Sequence, residues 1–188
     1  KHFWFVFKEI IMKVLFLDHD GVICLAKQWG KRNSKSSKKR GEKFDPFCKK
    51  AIKVLNEIIK KTDCEIVVSS DWRTYCQLSE MQDLYLERGV IKKPVGYTIV
   101  FSNKDPDILD ETSEYKDYYK INARVREKEI QHWLDTHPNV SKWVAVDDLP
   151  MNKLDSFVHT IRPDEGIKQY GIKEKIIHED AIDSLSNY

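Results

Sequence analysis

Three short apolar runs each stop on residues that carry chemistry, and this pattern narrows the folds open to the chain more than any other feature. Val14-Leu-Phe-Leu17 runs into Asp18-His-Asp-Gly21, Ile66-Val-Val68 into Ser69-Ser-Asp-Trp-Arg73, and Trp143-Val-Ala-Val146 into Asp147-Asp148. Continuous apolar runs of this length suit strands buried on both faces, as in parallel sheets covered by helices. Helical spacing fills the stretches between them. Asp45 and Pro46 supply an N-cap and a first-turn proline for a helix over 46–61, striped by Phe47, Ala51, Val54, Leu55 and Ile58. Leu78, Met81, Leu84 and Tyr85 mark a second helix, closed by Gly89. Asn122 caps a third, with Ala123, Ile130, Trp133 and Leu134 as its stripe, and a helix near 173–186 ends the order. Tyr97 to Phe101 and Phe157 to Thr160 read as further short strands. The expected fold is α/β: a three-layer, Rossmann-like, mostly parallel sheet with helices on both faces and Asp18 on a central strand.

A length of 188 residues fits one domain. Met12 offers an alternative start, which sets residues 1–11 apart as an extension and leaves 12–188 as that domain. Two insertions are expected within it. Residues 27–43 hold eight basic side chains against Glu42, mixed with Ser and Gly and without an apolar period, which reads as a mobile basic loop. The stretch from about 89 to 121 contains six acids between 105 and 117 against Lys116 and reads as a solvated acidic insertion. A hydrophobic content of 41%, with 5 Trp, 8 Tyr and 8 Phe, excludes a wholly disordered chain. The formal charge of +2 excludes a polycation that wraps nucleic acid, so any basic binding site must be local.

Cys24, Cys48, Cys64 and Cys76 lack the close spacing of a zinc or redox motif and read as reduced thiols, which favours a cytoplasmic location. The apolar stretch Phe3 to Leu17 is interrupted by Lys8, Glu9 and Lys13 and is too short for a bilayer span, so no membrane partner is expected.

In an open parallel sheet, ligands bind outside the carboxyl ends of the strands. Acids and hydroxyls placed there converge although they are distant in sequence. Several carboxylates in one crevice repel each other, and a hard divalent cation such as Mg2+ is the natural neutraliser.

The set of motifs resembles the haloacid dehalogenase (HAD) superfamily of phosphotransferases. Asp18-His-Asp-Gly-Val22, Ser69 and Asp147-Asp148 each follow a strand, and a basic residue near the start of a helix completes the pattern over most of residues 13–160. Ser69-Ser-Asp-Trp-Arg73 and Asp147-Asp148 look most like the small, cap-poor HAD domains linked to polynucleotide end repair. The resemblance implies that Asp18 is the nucleophile, that Asp20 protonates the leaving oxygen and later activates water, and that Ser69, or else Ser70, bonds the transferred phosphoryl group. It also implies a Mg2+ site drawn from Asp18, Asp20, Asp147 and Asp148, in which Asp147 either shares the metal or orients neighbours.

For the basic residue the chain offers Arg124, Arg126 and Lys128. Arg126 lies four before Ile130 and eight before Leu134, on the inward stripe, whereas Lys128 is rotated about 200° from Ile130. Arg126 is therefore preferred, although it departs from the superfamily's common lysine, and Lys128 stays as the alternative phosphate contact. Arg73 either forks onto a substrate phosphate or pairs with a surface acid. His19 is expected to pack rather than react, and Asp155 to be an exposed helix residue.

The expected activity is Mg2+-dependent hydrolysis of a phosphomonoester through an aspartyl phosphate, with polynucleotide 3′-phosphate ends or nucleotides as first substrates. Two other readings compete. One is a phosphatase of a small phosphorylated metabolite; the other is an idle HAD fold that binds nucleic acid or protein through residues 27–43, where the basic side chains otherwise serve solubility.

Overall fold

The computed structural model describes residues 11–102 and 118–181. Almost all of the N-terminal extension and the acidic centre of the second insertion lie outside these residues. Five strands form one parallel sheet: β1 (Met12–Leu17), β2 (Glu65–Val68), β3 (Gly96–Tyr97), β4 (Val140–Asp147) and β5 (Phe157–His159). Their order is β3-β2-β1-β4-β5, which puts β1 at the centre with the other two motif strands on either side.

Alternation along β1 explains why both faces need cover. Leu15 and Leu17 join Ile66, Val68, Val144 and Val146 in one cluster, whereas Val14 and Phe16 join Val67 and Ala145 in another. The first cluster is closed by α2 (Lys49–Thr62), α3 (Leu78–Glu87) and α5 (Ile172–Ala181), through Ala51, Leu55, Ile58, Met81, Tyr85 and Ile176. The second is closed by α4 (Tyr118–Asp135) through Ala123, Ile130 and Trp133, with the Trp133 ring set edge-on to Phe16 at 5.4 Å. Burying these side chains is worth about 1.5–3 kcal/mol each. The result is the expected three-layer α/β fold.

Several sequence expectations require correction. Residues 27–43 are not a featureless loop. They carry two 3-10 turns, Ala26–Gln28 and Lys31–Asn33, and the short helix α1 (Lys35–Lys39), capped by the Ser34 side chain. Asp45 organises this arm: its carboxylate accepts from the Gly30 amide at 2.9 Å, the Arg32 amide at 2.7 Å and the Arg32 guanidinium at 3.3 Å. For the same reason Asp45 does not cap α2, which begins three residues later than expected, after Cys48.

The expected strand over 97–101 shrinks to Gly96–Tyr97, because the Arg73 side chain takes the carbonyls of Thr98 and Ile99 in place of a neighbouring strand. Asn122 is inside α4, not at its cap, since no glycine or proline interrupts residues 118–135. Arg126 therefore sits well inside this helix. Asp155 is exposed, but in a bend preceding β5, not in a helix. The C-terminal helix is described only as far as Ala181.

Candidate active site

Register explains how distant motifs meet. Leu17 pairs with both Val68 and Val146, so the next residue of each strand leaves the sheet at the same level. The Asp18 amide donates to the Val146 carbonyl at 3.1 Å, and the Ser69 amide to the Leu17 carbonyl at 3.0 Å. Asp18, Asp147 and Asp148 consequently offer carboxylate oxygens that all lie within 4.8 Å of one another. They line a cavity of about 340 Å³ together with Asp20, Arg126 and Glu129.

Arg126 reaches this cluster from α4. Its Nη1 donates to Asp18 Oδ1 and Asp147 Oδ2, each at 3.2 Å, and also to the Ser69 carbonyl; Nη2 donates to Asp71 Oδ1 at 2.9 Å. Burial works against its charge, but Asp147 and Asp18 outweigh that cost and hold the guanidinium protonated more firmly than usual. One cation does not satisfy the acids. Burial, reinforced by Asp147, raises the Asp18 carboxyl well above its ordinary range in spite of Arg126. Burial pushes Asp147 to about 7, although Arg126 and the Leu149 amide at 2.9 Å favour its ionised form. Asp148 is also pushed to about 7, by burial and by its neighbours Asp18 and Asp20.

Asp20 stands apart from the three clustered acids. Its Oδ2 accepts from the Trp72 indole Nε1 at 2.8 Å, and burial raises its carboxyl against that hydrogen bond. Trp72 is fixed by stacking on Phe44 and Phe47, with ring centroids 4.7 and 5.6 Å away. Gly21 lets the chain turn back beneath Asp148. Its φ of +70° suits glycine, and a Cβ there would overlap the Asp148 carboxylate.

The other candidate residues are distributed differently. Ser69 Oγ is buried, is not part of the cavity lining and has no hydrogen-bond partner among the described residues, whereas Ser70, also outside the lining, caps the 3-10 turn Asp71–Thr74 through the Trp72 amide. Lys128 is not brought into the cavity, as its position on the far side of α4 dictates. Arg73 has the surface acid Asp71 at 3.9 Å, but its nearer partner is the buried Glu129. Arg73 is itself buried, and Nη2 donates to Glu129 Oε2 at 2.5 Å while Nη1 donates to the Ser70 carbonyl at 2.7 Å. These bonds and those to Thr98 and Ile99 use four of its five N–H donors within the protein, and Arg73 also lines the cavity. His19 points away from the acids and bonds the Tyr85 hydroxyl at 2.7 Å.

Three residues of the site, Glu129, Asp71 and Trp72, were not singled out in the sequence. Glu129 accepts from Arg73 and from the Phe101 amide at 2.9 Å, and its Oε2 lies 3.6 Å from Arg126 Nε. Its signal was available: the i, i+3 spacing from Arg126 puts both on one helical face. Trp72 gave no such signal, because its contact with Asp20 spans 52 residues.

A parallel α/β sheet that gathers Asp18, Asp20, Asp147 and Asp148 at its carboxyl edge is the HAD-like arrangement that the motifs implied. The chain belongs to the family described as the HAD domain in Swiss Army Knife RNA repair proteins, whose model matches residues 14–172. That membership points to the phosphatase-type hydrolases, and HAD domains typically use a divalent metal. Comparison with curated proteins and with solved structures found no match.

Proposed function

We propose that this protein is a Mg2+-dependent phosphomonoester hydrolase that acts on polynucleotide 3′-phosphate ends or nucleotides. The convergence of Asp18, Asp147 and Asp148 within 4.8 Å, beneath Arg126, carries the reading. Three hard carboxylates held in a buried group and left short of positive charge by one arginine suit Mg2+. Asp18, Asp147 and Asp148 would hold the ion, which when bound supplies positive charge to the phosphoryl oxygens.

Asp18 attacks phosphorus with a carboxylate oxygen, the bond to the leaving alkoxide breaks, and Asp20 delivers its proton to that oxygen. Asp20 then accepts a proton from water as the water attacks phosphorus, the bond to Asp18 breaks, and inorganic phosphate leaves. Its raised pKa suits a carboxyl that must be protonated before the first step. Arg126 positions the Asp18 carboxylate, and the unpartnered Ser69 hydroxyl is the donor for a phosphoryl oxygen.

The polynucleotide part of the reading is supported by the family's association with RNA repair and by the basic arm. Lys27, Lys31, Lys35, Lys38 and Lys39 are exposed on that arm, and Arg32 lies close enough to Asp20 to affect its ionisation. A cationic surface beside an open site attracts polyanions. The four free cysteines, three of them buried, fit a reducing cytoplasm.

The test is phosphate release from 3′-phosphorylated oligonucleotides, nucleotides and sugar phosphates, with Mg2+ and with chelator. Mg2+-dependent release from the oligonucleotides is expected, with Asp18→Asn inactive. Turnover of sugar phosphates alone would remove the nucleic-acid substrate. Tight RNA binding with no hydrolysis of any ester would replace the enzyme with a binding module.

A further inference from the structure

The cavity lining is mixed in character. Besides the acids and arginines of the phosphoryl centre it includes a wall of Val100, Phe101, Tyr118, Tyr119, Val125 and Leu149, with Ser102 and Asn122 as neutral polar residues beside it. Tyr118 and Tyr119 are 70% and 65% exposed, and their rings sit edge to face at 6.1 Å. Large aromatic side chains this exposed at the mouth of a charged site forgo burial that would stabilise the fold, which is the mark of a binding surface.

The wall is tied to the chemistry. Glu129 accepts from the Phe101 amide on one side and approaches Arg126 on the other, while Arg73 holds the Thr98 and Ile99 carbonyls. The strap that carries Phe101 is thus fixed relative to the arginine that grips Asp18. A sugar ring would be read by hydrogen bonds to its hydroxyls, for which this side of the lining offers Ser102, Asn122 and the two tyrosine hydroxyls, against six aromatic and aliphatic side chains that offer apolar surface. A nucleobase presents a flat π-face that stacks on tyrosine without regard to sequence. The cavity volume, about 340 Å³, falls in the range of sites for small ligands.

We infer that Tyr118 and Tyr119 form an aromatic platform, one ring stacking on and the other meeting edge-on the nucleobase next to the scissile phosphate, making the enzyme selective for base-bearing phosphomonoesters without reading their sequence. The inference rests on the phosphomonoesterase reading above. Phosphate leaves at Asp18 while the base is held on the aromatic side, so the platform acts mainly on KM.

Two 3′-phosphorylated oligonucleotides of equal length separate the possibilities, one with a normal terminal nucleotide and one whose terminal nucleotide lacks its base. Acetyl phosphate serves as a third, baseless substrate. The wild-type protein should prefer the base-bearing end by about 5- to 150-fold in kcat/KM, the span that base stacking supplies. The preference should collapse towards unity in the Tyr118→Ala/Tyr119→Ala double variant and persist in Tyr118→Phe/Tyr119→Phe. Because each ratio is taken within one protein, a general loss of activity cancels. Equal turnover of both ends by the wild type overturns the platform even if the alanine variant fails to fold, as does a preference that survives it. Hydrolysis of acetyl phosphate with neither oligonucleotide cleaved overturns the platform and leaves a phosphatase; no hydrolysis of any of the three overturns the phosphomonoesterase reading itself.

Discussion

Each acid of the site has a different environment set by what touches it. Asp18 and Asp147 are gripped by Arg126, Asp148 is pressed against Gly21, and Asp20, outside the cluster, accepts from an indole. Replacing Asp18 by Asn should lower phosphate release by more than about 10³-fold, as expected for a nucleophile, and Asp20→Asn by about 10²- to 10⁴-fold. Trp72→Phe keeps the stack on Phe44 and Phe47 but deletes the donor to Asp20. Without it the Asp20 carboxyl is no longer held in place, which should lower kcat about tenfold; because the donor favours the carboxylate, its loss should also move the pH–rate limb that reports Asp20 ionisation to higher pH. Gly21→Ala should destabilise the fold by about 1–3 kcal/mol in denaturant and weaken Mg2+ binding in a titration, because the methyl group displaces Asp148. Asp18, Asp20 and the Asp147-Asp148 pair were legible as sequence because each follows an apolar run. Trp72 and Glu129 were not singled out, since their partners are chosen by packing.

At the scale of elements, the basic arm differs most from its sequence pattern. Polar and charged residues without an apolar period read as a loop, yet Asp45 gathers two amides and a guanidinium and Ser34 caps α1. A single buried carboxylate outside the segment thus supplies the order that the segment's own composition lacks. Asp45→Ala leaves these donors unpaired and should cost about 1–3 kcal/mol. Limited trypsin digestion should then cut within residues 27–43 sooner than in the wild type, whereas an arm already mobile would be cut equally fast in both. The helices show the opposite balance. The apolar stripe of α2 foretold its buried face, and only its start moved, because Asp45 was engaged elsewhere.

For the whole molecule, the raised carboxyls couple protons to stability and, at the proposed metal site, would couple both to Mg2+. A carboxyl whose folded-state pKa lies above its unfolded value favours the fold while protonated, and that contribution is lost as pH rises from about 4 towards about 7 for Asp147 and Asp148. The metal-free protein should therefore lose part of its stability across this window. Mg2+ competes with the protons, so its addition should raise the melting temperature more at pH 8 than at pH 5.5, and Asp148→Asn should remove most of that difference. Among the described residues no helix is long and apolar enough to cross a membrane. The parallel sheet, its two covering layers and the edge at which the acids gather were determined by the sequence, because strand-length apolar runs and helical stripes are local signals that burial enforces throughout. The helical stripe already favoured Arg126 as the cation at Asp18; only the tertiary structure decided which further acids it meets, which ring holds Asp20 and how the basic arm is pinned. Those contacts join residues from separate elements, and their distances depend on register and packing that no stretch of the chain encodes alone.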